Sequence, residues 1–127
     1  MVTALGVVAG LVAVSPAPAA DKPPENWSFQ PKPLKGGYQV YGGTLAEVQP
    51  PSSRNRKVSL VLQGALAREL FEQIGPDRKK TCGVGSDHRV RLKGDLACTR
   101  SKRDGYACYL GIDERTGKST RGAGCER

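Results

Sequence analysis

Four cysteines, at 82, 98, 108 and 125, crowd into the last 46 residues of a 127-residue chain, and no other feature limits its fold so strongly. An even number of cysteines behind an apolar leader points to two disulfides. The successive separations of 16, 10 and 17 residues contain no C-x-x-C knuckle of the kind that zinc sites use. A metal centre is therefore not expected. The chain has seven aromatic residues from which to build a core, Trp27, Phe29, Tyr38, Tyr41, Phe71, Tyr106 and Tyr109, so covalent cross-links would supplement a modest apolar interior.

The leader is the run Val2 to Val14, apolar or small throughout except for Thr3, followed by "SPAPAA" and the polar "DKPPEN". This order is that of a secretory signal peptide over residues 1–20, with cleavage after Ala19 or Ala20. No Lys or Arg precedes the apolar run, which is unusual for such a segment. The run is also short of the roughly 20 apolar residues that a membrane-crossing helix needs. The expectation is export to a periplasm or the extracellular space, with no stable membrane insertion once the leader is removed.

Residues 21–37 hold four prolines and two glycines and read as an extended arm, because proline cannot supply ladder or helix N–H groups. Trp27 and Phe29 fall on one side of that arm and are expected to tuck onto the domain. The domain itself is read as residues 38–127. "YQVYGGTLAEV" suggests a strand with a bend at Gly42-Gly43, and "KVSLVLQ" alternates clearly, with Val58, Leu60 and Leu62 on one face. "GALARELFEQIGP" then carries Leu66, Leu70, Phe71 and Ile74 on one helical stripe, and Gly75-Pro76 stops it.

Beyond Cys82 the period returns to two. In "HRVRLKGDLACTR" a three-residue loop over 93–95 would place Val90, Leu92, Leu96 and Cys98 on one face and Arg89, Arg91 and Lys93 on the other. A two-residue loop would instead set Arg91 opposite Cys98, so separation of the faces favours the longer loop. In the next hairpin Cys98 faces Cys108 and Arg100 faces Tyr106, with a loop over 101–105. The predicted fold class is α+β: one amphipathic helix packed on an antiparallel sheet or meander, stapled by two disulfides. Two pairings compete. Cys82 with Cys98 and Cys108 with Cys125 would staple flanking segments to the sheet, and is favoured over Cys98 with Cys108 and Cys82 with Cys125.

Among motifs that could carry chemistry, "GIDERTGKST" looks like a phosphate loop, but the second glycine would have to stand at Thr116, and Gly117 comes one place late. A turn with Gly117 at positive φ accounts for it, so no nucleotide and no cofactor are expected. His88, the only histidine, stands next to Asp87 and supplies a rival reading as a small secreted hydrolase. Neighbours in a strand point to opposite faces, which argues against that pair acting together.

The net charge is +8, and residues 78–103 contain nine basic residues against two acids, so +7 of it is local. Arg89, Arg91 and Lys93 recur every second residue, Arg100, Lys102 and Arg103 sit on the following hairpin, and Tyr109 is the one aromatic placed to accompany them. One aromatic is thin support for nucleic-acid stacking. The sequence-based expectation is a monomeric, non-catalytic exported binding protein, of an inhibitor or immunity type. Its basic sheet face would meet an acidic protein or an anionic envelope polymer.

Overall fold

The alternating segment Lys57–Gln63 forms the strand on which the sheet is built, paired on both sides. The structure is a computed structural model and describes residues 6–17, 21–22, 24–79 and 87–123. Its elements in chain order are β1 (Gly36–Gly43), β2 (Val48–Gln49), β3 (Lys57–Gln63), α1 (Gly64–Gln73), β4 (His88–Lys93), β5 (Leu96–Ser101), β6 (Gly105–Asp113) and β7 (Ser119–Thr120). The sheet order is β2-β1-β3-β6-β5-β4, with β7 paired to β6, and every pairing is antiparallel. The α+β architecture is as the sequence predicts.

Two compact units divide the chain at Pro31 and Lys32. In the first, Val7, Val8, Leu11, Val12 and Val14 are exposed and residues 6–17 form no regular element. Among the described residues no helix is long and apolar enough to cross a membrane. Within this unit the Trp27 and Phe29 rings lie with centroids 6.3 Å apart.

In the second unit the helix follows β3 without a loop and lies against β6, β5 and β3. Its buried residues are Ala67 and Phe71, and Ile74 at the C-cap continues the same stripe at i+7. Of the expected stripe Phe71 and Ile74 are buried and Leu70 packs against the core, while Leu66 is exposed and Ala67 takes its place. The reason lies beneath it. Ala67 sits over a disulfide between Cys98 and Cys108, whose Cys108 Sγ comes within 3.4 Å of the Ala67 carbonyl oxygen, and only a small side chain fits there. Around this centre Leu62, Leu70, Leu96 and Tyr106 complete the core.

The Cys98–Cys108 bond corrects the favoured cysteine pairing, which joined each of these residues to a flanking segment. Cys82 and Cys125 lie outside the described residues, so the part of that expectation resting on them does too. The β5–β6 register is as the sequence indicates, with Cys98 opposite Cys108 and Arg100 opposite Tyr106. The β4–β5 register is not. Arg91 stands opposite Cys98 and Lys93 opposite Leu96, across a two-residue turn. Gly94, at φ +58°, occupies the first turn position, where a type II′ hairpin requires a glycine. Arg89 and Arg91 therefore share the helix-covered face, and Val90 is buried on the other.

The last turn follows the expected course. Asp113 N–H donates to Lys118 O at 2.9 Å, Gly117 N–H donates to Asp113 O at 2.8 Å, and Gly117 has φ +72°. Arg56 and Glu114 form an ion pair at 2.7 Å that ties this turn to the loop before β3.

Candidate functional site

Seven residues form the candidate basic surface, and the fold distributes them over four places. Arg89 and Arg91 project from β4 toward the segment that follows the helix, where Asp77 receives both. Arg89 Nε donates to Asp77 Oδ2 at 2.7 Å and its Nη2 to Oδ1 at 3.2 Å; Arg91 Nε donates to Oδ1 at 2.6 Å. Arg91 Nη1 also donates to the Phe71 carbonyl oxygen at 2.7 Å. Both guanidinium groups lie over the Phe71 ring, at 5.2 and 4.2 Å from its centroid.

These contacts make the two arginines part of the core's edge. Arg91 is 17% exposed at its side chain, and its stem fills space beside the helix end as its head satisfies a helix carbonyl. The hydrogen bond from Arg89, joined by that from Arg91, holds the Asp77 carboxyl well below its ordinary 3.8, at about 2. The same bond raises the Arg89 guanidinium pKa. The expected solvated row of cations on β4 is corrected accordingly, since two of its members are committed to a carboxylate 12 and 14 residues earlier in the chain.

Arg100, Lys102 and Arg103 occupy the end of the β5–β6 hairpin and are exposed. Arg100 lies over the Tyr106 ring at 5.3 Å, and Tyr106 meets Phe71 edge-on at 5.4 Å, so the base of the hairpin is fixed to the core through aromatic contacts. The arms are cross-linked just below by Cys98–Cys108. At the tip, Asp104 N–H donates to Ser101 Oγ at 2.9 Å, and Arg103 approaches Asp104 at 3.8 Å, a distance at which solvent screening leaves little pairing. A depression of about 360 Å³ beside the tip is lined by Asp87, Arg100, Ser101, Lys102, Gly105 and Tyr106.

Lys93 and Tyr109 belong to neither group. Lys93 ends β4 at the other end of the hairpin arms, exposed. Tyr109 is on the opposite face of the sheet from Arg100, in a cleft of about 340 Å³ with Tyr41, Ser59 and Val61. It does not join the cations.

The rival site near Asp87 and His88 brings one new pairing. His88 stands opposite Ser101 across β4 and β5, a neighbour that spacing in the sequence does not reveal once the β4–β5 loop length is misjudged. Among the described residues no hydrogen bond joins the His88 ring to a serine or a carboxylate. No group of three His, Cys, Asp or Glu side chains converges there as a metal site would require.

Comparison with known proteins adds no assignment: no family model, no curated protein and no solved structure matches this chain.

Proposed function

We propose that this chain is a small non-catalytic binding protein that offers the tip of its β5–β6 hairpin to an acidic partner protein. One observation carries the reading. Arg100, Lys102 and Arg103 stand in solvent, with Asp104 at the tip and Asp87 lining the depression beside it, on a hairpin whose arms are cross-linked by Cys98–Cys108 and anchored by Tyr106 on Phe71. Cations held on a rigid support lose little freedom on binding, so their attraction for carboxylates is spent on affinity and on-rate. A disulfide is at home in an oxidising compartment, and with the apolar leader it supports an exported protein of the inhibitor or immunity type. An anionic envelope polymer would use the same cations.

The test is retention of polyglutamate, a probe that carries carboxylates and nothing else, on immobilised chain at low and high salt. The triple variant Arg100→Glu, Lys102→Glu, Arg103→Glu should lose at least ten-fold in affinity at low salt, with a melting midpoint lowered by no more than a few degrees through loss of the Arg100 contact with Tyr106. Equal retention by the variant would overturn the assignment to the tip.

A further inference from the structure

We infer that the outer edge of β1 is a docking site for an extended, acidic segment of the partner, added as a further strand of the sheet. The inference rests on the hairpin-tip reading, which supplies the acidic character of the partner.

Along β1 only Gly42 and Gly43 are paired to β2, opposite Gln49 and Val48. Residues 36–41 pair with β3 on one side, and among the described residues no strand pairs with the other. Which backbone groups face outward follows from the ladder. Gln63 N–H donates to Lys35 O at 2.8 Å, so in this antiparallel register odd-numbered residues of β1 direct their backbone toward β3. Gly36, Tyr38 and Val40 direct theirs away. The Thr44 N–H bond to Glu47 O at 3.2 Å, on the β2 side, has the same parity.

Native proteins blunt such edges with lysine, proline or inward charges. The strand "GGYQVYGG" has none of these: no charge and no proline over eight residues, in a chain whose composition is 25% charged. Tyr38 is 75% exposed, and Val40 lies beside it on the same face, next to the half-buried Val58, Leu60, Leu110 and Ile112. An added strand with apolar residues at every second position would extend this face while its backbone satisfied Tyr38 and Val40.

Charge selects the occupant. A second copy of this chain would bring another +8 to the same place, whereas an acidic strand meets complementary groups. Lys57 reaches across β1 to donate from Nζ to Gly43 O at 2.6 Å. Lys35, at the start of the strand, lines one depression with Asp104, Gly105 and Tyr106 of the hairpin. The edge and the tip are therefore adjacent at one end of the sheet, and a single acidic partner can engage both.

The test uses an eight-residue peptide of alternating Glu and Val, with polyglutamate as the charge-only control. Saturation of the wild-type chain with the alternating peptide should slow hydrogen exchange of the Tyr38 and Val40 amides at least ten-fold. Val40→Pro, which removes an outward donor without touching the β3 ladder, should lower peptide affinity about ten-fold and leave polyglutamate retention unchanged. Amides at 38 and 40 that exchange as in the free chain would overturn the proposal, a measurement that needs no variant to fold. Concentration-dependent dimerisation with those amides protected in the absence of peptide would assign the edge to a second copy and overturn it as well. Failure of the tip reading looks different: the triple tip variant would bind both probes as wild type does, while edge protection persisted.

Discussion

Asp77 is the residue that takes Arg89 and Arg91 out of the basic surface. One carboxylate accepts three hydrogen bonds from two arginines, and those arginines in turn cover the Phe71 ring. Its folded-state pKa of about 2 lies below the ordinary 3.8, so it contributes stability that is fully present above 3.8 and is lost as pH falls through about 2. Asp77→Asn removes that contribution. The variant should melt below wild type at neutral pH, and the two midpoints should converge as pH is lowered from about 4 to about 2. Thermal unfolding followed across this range checks it, and midpoints that stay parallel down to pH 2 would show that Asp77 is not the titrating group. Nothing local in the sequence announces this role. A period-two row of arginines reads as a solvated face unless its counter-charge is in view, and Asp77 stands 12 residues before Arg89, on another segment.

The β5–β6 hairpin was legible for a physical reason: Leu96, Cys98, Tyr106 and Cys108 are apolar or cross-linked residues whose pairing satisfies one register only. In β4 the same criterion misled, because it treated Arg91 as a residue that must face water. Its burial beside the helix is compensated by Asp77 and by the Phe71 carbonyl, so a mixed face costs little. The helix and its core residues Leu70, Phe71 and Ile74 are legible, but Ala67 in place of Leu66 is not, since alanine's value over a disulfide is one of size and does not register in hydrophobic spacing. The hairpin also carries its own prediction. Cys98 and Cys108 are 10 residues apart, and closing so short a loop restrains the unfolded chain by about 2–3 kcal/mol. Cys98→Ala with Cys108→Ala should lower stability by roughly that amount in denaturant titration, and weaken polyglutamate retention because the tip loses its rigid support. A destabilised chain that retains polyglutamate as wild type does would separate the cross-link from the binding surface.

Across the whole molecule, stability and binding draw on different members of one charge excess. The net +8 is carried partly by arginines locked into Asp77 and the helix end, and partly by Arg100, Lys102 and Arg103, which touch solvent. Salt distinguishes the two. Raising ionic strength from about 0.01 M to 1 M shortens the screening length from about 30 Å to about 3 Å, which suppresses attraction between exposed charges far more than between hydrogen-bonded groups in direct contact. Polyglutamate affinity should therefore fall by at least ten-fold across this range, while the melting midpoint shifts by no more than a few degrees. Both readouts come from one preparation, so a loss of binding caused by unfolding would be seen at once. A midpoint that collapsed in parallel with affinity would mean that the exposed cations sustain the fold, and the tip would then be a structural feature and not a binding one. Polyglutamate retention that survived at 1 M salt would overturn an electrostatically dominated contact at the tip.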